Sequence, residues 1–512
     1  MLRALPRRVD WAALRSLSQP RFKNSLLPAA IIMAVALFTS CTVGPKYKRP
    51  TAEVPDTWKG QGPWEVATPK DSIPKGTWWQ LYHDDELNQL EQELVQANQS
   101  LSAARDRLWQ ARALARVASS PLFPSLGANP SAERQRYSGN RNLEGANPLL
   151  VFPDTENTYT VPFSVNYEVD LFGSVRRGLE AANATLQSTA ANLENTRLVL
   201  SAELAADYFN LRELDREADV VRESVDIQKR GLDLVNNQHE GGITSGLAVA
   251  QQAALLDSTA AQLQLVLQQR AQTEHAIAVL IGKPASSFTL AKAEFNITPP
   301  PTPLGVPSEI LERRPDVAAN ERLMAYQNAQ VGIAVAAFYP HITLSGTGGW
   351  ESRDITTLVN APSTIWSLGG SLLQPIFNGG QNRANLDASR AAYEQSVANY
   401  RETVLEAFQQ VEDGLSGLEM LDKAEKTQQI AVDDSRRALA IANNRYVGGV
   451  TTYLDVITAQ STLLTNERLE TQLRGQQMVT SVYLVKALGG GWDAAQIQNE
   501  QVRPELKQIV QP

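Results

Sequence analysis

The side chains that could carry chemistry are few, and their spacing does not suit catalysis. His83, His239, His275 and His341 are scattered, and His239-Glu240-Gly241-Gly242 lacks the second histidine of a helical zinc motif. No Gly-Lys-Ser/Thr phosphate loop occurs, so the chain does not itself use ATP. The pattern implies no enzymatic activity, no cofactor and no metal. One residue stands apart. Cys41 is the only cysteine, which excludes a disulfide within the chain. It follows Thr39 and Ser40, an apolar run from Leu26 to Phe38 broken only by Pro28, and the basic residues Arg3, Arg7, Arg8, Arg15, Arg21 and Lys23. A basic start, a short apolar core and small residues before the cut describe a secretory signal over residues 1–40. Attachment of lipid is then the most economical use of the Cys41 thiol. The alternative is a cytoplasmic protein with one buried cysteine.

The junction resembles a bacterial lipobox, with Phe38 three places before the cysteine and Leu37 beside it. Thr42 stands where Asp would signal retention at the inner membrane, so the resemblance points to the outer membrane. The chain has 512 residues, 43% hydrophobic and 20% charged, enough for several ordered domains. No stretch reaches the ~18 uninterrupted apolar residues of a mature membrane-spanning helix. Any crossing of a membrane must therefore use strands. Removing residues 1–40 leaves 41 basic against 54 acidic residues, a net charge of −13, which argues against nucleic acid as a partner.

The chain is built from two copies. Residues 229–249 read KRGLDLVNNQHEGGITSGLAV and residues 436–456 read RRALAIANNRYVGGVTTYLDV, with nine of 21 positions identical at an offset of 207. Upstream, Leu179, Leu186, Leu193 and Leu200 recur every seven residues, and the row resumes at Leu214, Val221 and Val235. The second copy carries Leu386, Tyr393, Tyr400, Ala407 and Leu421, with Val397, Val404, Val411, Leu418, Val432 and Leu439 four places on. This spacing marks a coiled-coil seam. Arg197, Asp207 and Gln228 interrupt it, as expected where a helix wall also faces water. Long proline-free helices are expected at 176–238 and 383–446, each roughly 95 Å long. Gly241-Gly242-Ile243-Thr244 and Gly448-Gly449-Val450-Thr451 supply stop and cap signals, so return helices are expected at 247–282 and 453–489. Earlier helices are expected at about 84–118 and 307–337.

Between the short and long helices the period changes to two. Val161, Phe163, Val165, Tyr167, Val169 and Leu171 alternate with Thr160, Pro162, Ser164, Asn166, Glu168 and Asp170, about the length of a tilted membrane strand. Its partner is expected at about 123–137. In the second copy Ile342, Leu344 and Trp350 alternate with His341, Thr343, Ser345 and Glu351, and a strand at about 363–377 closes the hairpin. A small periplasmic sheet with one wet face is the competing reading. Four strands cannot close a barrel, so the chain must oligomerise to remove its open edges. Two copies would give eight strands and a filled interior; three would give twelve and room for a pore.

This order resembles the outer-membrane factor family, the TolC-type ducts, and within it the NodT-type lipoproteins. The resemblance is carried by Cys41-Thr-Val-Gly-Pro-Lys-Tyr47 with Arg49-Pro50, Trp78-Trp79 followed by Asp85 and Leu87, Leu311-Glu-Arg-Arg-Pro-Asp-Val317, both Gly-Thr turns, and Leu454-Asp-Val-Ile-Thr-Ala-Gln460. It implies an α+β membrane protein: a long antiparallel coiled-coil α-helical tunnel plus a four-strand contribution to a trimeric β-barrel, from two internal structural repeats. The implied organisation is a signal (1–40), a lipidated extended segment (41–83) and repeat 1 (84–292, strand pair 122–172, tip 239–246). A Pro-rich linker (293–306), repeat 2 (307–492, strand pair 339–377, tip 447–452) and a tail (493–512) follow. The implied partners are two further copies, a periplasmic adaptor, an inner-membrane efflux pump and outer-membrane lipid bound through Cys41. The implied function is passive export of small molecules across the outer membrane; a periplasmic coiled-coil adaptor or scaffold lipoprotein is the alternative. In the family the Gly-Thr turns form the periplasmic tip, which places Gly241, Gly242, Thr244, Gly448, Gly449 and Thr451 at the adaptor contact. Leu454, Asp455 and Thr458 fall on positions that narrow the opening. Asp455 also suits a purely structural role, as an acid in the first helical turn close to a Thr452 cap.

Overall fold

The computed structural model describes residues 42–51, 55, 58, 76–138, 155–293, 298–300 and 313–492. Cys41, the segment 1–40, most of the linker and the tail 493–512 lie outside the described residues. The described residues divide into two compact units, one holding residues 42–43, 124–138, 155–174 and 338–375, the other the remainder.

The first unit is an antiparallel sheet. β1 (Ser125–Ala128) and β2 (Ser131–Arg136) both pair with β3 (Thr155–Val169), which pairs with β4 (His341–Ser352), which pairs with β5 (Thr364–Leu373). A single strand was expected at about 123–137; it is interrupted at Asn129-Pro130, where proline has no N–H to donate. The register does not slip across the break, since Ser125 faces Asn166 and Ser131 faces Thr160. β5 stops short of the expected 377, two residues before Pro375.

Because residues directly opposite each other share a face, the pairing sorts the side chains. Leu126 lies opposite Val165, and Val165 opposite Gly346, which faces Leu368. Ala128, Phe163, Gly348 and Trp366 form the next row, and Phe163 meets Trp350 edge-on at 6.4 Å. Val169, Ile342 and Leu372 form another. The opposite face carries Ser164, Thr347 and Ser367 in one row and Glu168, Thr343 and Ser371 in another. The apolar face is not covered: Trp366 and Leu368 are 77% and 81% exposed.

The second unit is helical. After a short 3-10 turn at Trp78–Tyr82 come α1 (Asp85–Ala97), α2 (Gln99–Ser119), α3 (Ser174–Glu240), α4 (Gly246–Leu280), α5 (Pro315–Ala336), α6 (Gln381–Val447) and α7 (Tyr453–Ala487). α3 and α6 have 67 residues each, α4 and α7 have 35, and each of the later pair begins and ends 207 residues after the earlier one (381 − 174 and 453 − 246). At 1.5 Å per residue the long helices extend about 100 Å. Among the described residues no helix is long and apolar enough to cross a membrane.

The single helix expected at 84–118 is two. Asn98 ends α1, accepts the Leu101 N–H at 2.9 Å to cap α2, and donates its side-chain amide to the Leu280 carbonyl at 2.8 Å. One side chain thus satisfies groups at the ends of two helices. α5 begins at Pro315, a residue suited to a first helical position; of the start expected at 307, residues 307–312 lie outside the described residues. Leu87, Leu90, Leu94 and Leu101 pack with Leu204, Phe209, Leu211, Ile277 and Val482. Val317, Met324, Tyr400, Val404, Val411 and Leu484 form the corresponding core of the second copy. Gln228, expected to face water, is fully buried; its carbonyl accepts the Gln252 amide at 2.8 Å.

Candidate functional site

Both long helices end in the same backbone device. At the end of α3 the Gly242 N–H reaches the His239 carbonyl (2.9 Å) and the Ile243 N–H the Gln238 carbonyl (2.8 Å). At the end of α6 the Gly449 N–H reaches Tyr446 (2.9 Å) and the Val450 N–H reaches Arg445 (2.9 Å). These are Schellman caps, which close the last turn by placing one residue in the left-handed region. That residue is Gly242 (φ 74) in one turn and Gly449 (φ 72) in the other. An added Cβ would meet nothing within 4 Å at either glycine, so conformation rather than space demands them.

The two turns share one core. Val235, Ala248, Tyr453 and Val456 are buried together, flanked by Leu232, Leu439 and Tyr446. The Tyr446 and Tyr453 rings meet edge-on at 4.9 Å, and the Tyr446 hydroxyl donates to Gln238. Gly231 makes room, since a Cβ there would lie 2.6 Å from the Tyr453 hydroxyl. Sequence reasoning missed Tyr446, Tyr453, Gln238 and Gly231. The available signal was where the copies differ: Tyr446 stands where the first copy has His239, and Tyr453 where it has Gly246.

The expected residues divide between these surfaces. Gly241, Gly242, Gly448 and Gly449 are exposed at the turns, Thr244 and Thr451 are half-buried, and the Thr244 carbonyl accepts from His239 Nδ1 at 2.9 Å. Leu454, Asp455 and Thr458 lie on the open side of the first turns of α7, opposite the buried Tyr453, Val456 and Gln460. Thr458 donates its hydroxyl to the Leu454 carbonyl at 2.9 Å. Thr452 occupies the N-cap position, but its side chain makes no capping bond. The hydroxyl of Thr451 donates to the Asp455 carboxylate instead. Asp455 therefore keeps a local partner without acting in a reciprocal capping box. Around these polar groups the turns expose Ile243, Leu247, Val447, Val450 and Leu454, Ile243 and Val447 to 78%.

Antiparallel rods in two matched copies, joined to a sheet with one apolar and one polar face, define the TolC-type class of outer-membrane channels. A sequence model of the family described as outer membrane efflux protein matches residues 90–283 and 306–490, and the chain belongs to that family. It is 32% identical over 472 residues to the pyoverdine export outer membrane protein OpmQ of Pseudomonas aeruginosa, covering 92% of this chain and 98% of that one. It is 30% identical over 472 residues to the outer membrane protein OprJ of the same species, covering 91% and 96%. Among solved structures, the outer-membrane channel OprN superposes with a TM-score of 0.79 at 28% identity, over 88% of this chain and 100% of that one. The CmeC channel of Campylobacter jejuni shares the fold, with a TM-score of 0.83 at 24% identity over 91% and 100%. The chain is an outer-membrane efflux channel, from a family of ducts rather than enzymes.

Proposed function

We propose that three copies assemble into one lipid-anchored duct that receives small molecules from a periplasmic adaptor and an inner-membrane pump and releases them outside. The carrying observation is the sheet. Its apolar face, rowed by Leu126, Val165 and Leu368, is exposed in a single chain, as is the polar face behind it. That pattern suits lipid on one side and an aqueous lumen on the other. β1 with β2 forms one open edge and β5 the other, so each copy offers an edge to the next. Three copies supply twelve strands, counting β1 and β2 as one interrupted strand.

Anchoring through Cys41 is supported by the residues that follow it. The Val43 N–H donates to the Phe172 carbonyl at 3.1 Å, and a Cβ on Gly173 would lie 2.7 Å from Thr42 Cγ2. The chain just after Cys41 is thus pinned three residues beyond the end of β3, close to where a leaflet would begin. The glycine turns with their exposed Ile243, Leu247, Val447 and Val450 suit docking of an adaptor, and Leu454, Asp455 and Thr458 suit a ring around the opening. OpmQ is named for pyoverdine export and the family for efflux, in keeping with an exported cargo. Chemical crosslinking of the purified protein should trap a species of three chains. A monomer that conducts ions in planar bilayers would sink the twelve-strand assembly.

A further inference from the structure

Away from the tips, a cavity of about 320 Å³ lies between α3, α4 and α7. Its walls hold an ionic arrangement that the duct reading does not use. Glu217 of α3, with its side chain only 5% exposed, accepts from Arg468 Nε of α7 at 2.7 Å and from the second Arg468 arm at 2.5 Å. Arg468 also donates to Gln262 of α4 at 3.1 Å. One turn before Glu217 stands Glu213, one of whose carboxyl oxygens is buried without a hydrogen-bond partner among the described residues. α7 crosses close above it: a Cβ on Gly475 would lie 2.4 Å from Glu213 Cγ. Only a glycine lets the helices approach so closely.

The charges do not balance. Two carboxyl groups on α3 face one guanidinium on α7. The remaining cavity-lining polar groups are neutral: Asn210 on α3, Gln262 and Gln269 on α4, and Gln472 and Gln476 on α7. The nearby charges of the flanking helices are engaged elsewhere. Arg270 of α4 binds Asp215 and Glu274, and Arg474 of α7 binds Glu425 of α6 and Glu470. Among the described residues, Glu213 thus shares Arg468 with Glu217 and has no counter-ion of its own. We propose that Glu213 and Glu217 hold one proton between them beneath Arg468, and that this proton sets how firmly α7 of the second repeat is braced against α3 of the first. Burial, the Glu217 charge and a hydrogen bond to Glu217 push the Glu213 carboxyl from its ordinary 4.5 up to about 8, against the opposing pull of Arg468. Protonated Glu213 donates to Glu217; ionised Glu213 repels it.

The brace occurs once per chain. At the matching positions 207 residues away, Glu213 and Glu217 correspond to Met420 and Ala424, and Arg468 and Gly475 to Ala261 and Gln268. This ionic arrangement therefore has no counterpart at the matching positions of the other copy. An acid whose folded-state value is raised binds its proton more tightly when folded, so its stabilisation is complete below about 4.5 and is lost as pH rises towards about 8. At most one proton is released, so each pH unit in that window weakens the brace by no more than about tenfold.

The test uses the intact, purified protein from pH 5 to pH 9. Infrared titration should show a protonated-carboxyl band that bleaches with a midpoint near 8 and is absent from the isosteric Glu213→Gln variant. Hydrogen exchange along α7 around Gly475, corrected for the intrinsic pH dependence of exchange, should rise several-fold across the same range in the parent and stay flat in E213Q. In Glu217→Gln the titration of Glu213 should move to lower pH, because the repelling charge is gone. Buried Glu91 adds a protonated-carboxyl signal of its own, so the proposal is overturned if the component bleaching near pH 8 persists in E213Q, or if parent and E213Q show the same corrected exchange profile. Neither readout depends on conduction, so the duct reading stands or falls separately.

Discussion

Replacing Gly449 by alanine should loosen the turn between α6 and α7 and leave the two helices intact. Gly449 sits at φ 72, where a Cβ crowds the following carbonyl. Nothing else lies within 4 Å of that Cβ, so no packing gain offsets the strain, and the cost is ~1–2 kcal/mol. Gly448 provides the internal control. Its φ of −75 is ordinary for any residue, and the nearest atoms to an added methyl are the Asn444 and Arg445 carbonyls at 3.3 and 3.6 Å. Alanine there restricts the unfolded chain, which stabilises by about 0.4–1 kcal/mol and offsets the tight contact. The strain at Gly449 falls on the Val450 N–H bond to Arg445, and ~1–2 kcal/mol corresponds to a factor of roughly 5–30 in local opening. Hydrogen exchange at the Val450 amide should therefore accelerate by about that factor in G449A and hardly change in G448A. Gly449→Asn should fall between them, because asparagine tolerates the left-handed region better than alanine. The melting temperature should stay near the parent value in all three. Equal acceleration in G448A and G449A would refute the conformational argument, since only one of the two positions is left-handed.

Other perturbations test different parts of the molecule. Leu454→Ser should raise resting conductance and sensitise cells to bulky antibiotics such as vancomycin, because an apolar ring that resists wetting would be lost. Asp455→Ala should lower cation selectivity while costing at most about 0.5–1 kcal/mol of helix stability; unchanged selectivity in single-channel recordings would leave Asp455 with only its helix-dipole role. Cys41→Ser should abolish incorporation of labelled palmitate, and labelling that survives would remove the anchor from Cys41. Asn98→Ala should destabilise by about 2–4 kcal/mol, since it removes a cap and strands the Leu280 carbonyl in a buried site; a shift below ~1 kcal/mol in denaturant titration would contradict that accounting.

Most of the architecture was legible because it is periodic. Leu186, Leu214, Val221 and Val235 of the seven-residue row become buried positions of α3, and the 207-residue offset read from the turns is also the offset of the helix boundaries. The alternation from Val161 to Val169 becomes one apolar face because a strand has only two. What was not legible depends on partners far away in sequence. Asn98 reads as an ordinary polar residue inside a leucine row, and the helix breaks there because of a bond to Leu280, 182 residues on. Gln228 reads as a wet interruption of the seam, yet it is sealed by Gln252 and by the close approach of Tyr453 past Gly231. Pro130 interrupts a strand without moving its register, which local pattern alone does not distinguish from a turn.

The same distinction explains why the glycine turns were legible and the pairing of Glu213 and Glu217 with Arg468 was not. A glycine turn declares itself through residues four or five apart, and its repetition in both copies doubles the signal. Glu213 and Glu217, by contrast, look like a solvated helix face, because acids one turn apart usually are. Their meaning comes from Arg468, 251 residues beyond Glu217, and from Gly475, which carries no charge at all. Repeat symmetry also works against recognising such a site, since the corresponding positions Met420, Ala424, Ala261 and Gln268 hold nothing ionisable. Shared pattern therefore reports the wall that both copies must build. Function confined to one junction lies in the residues where the copies disagree, as at Tyr446 against His239 and Arg468 against Ala261.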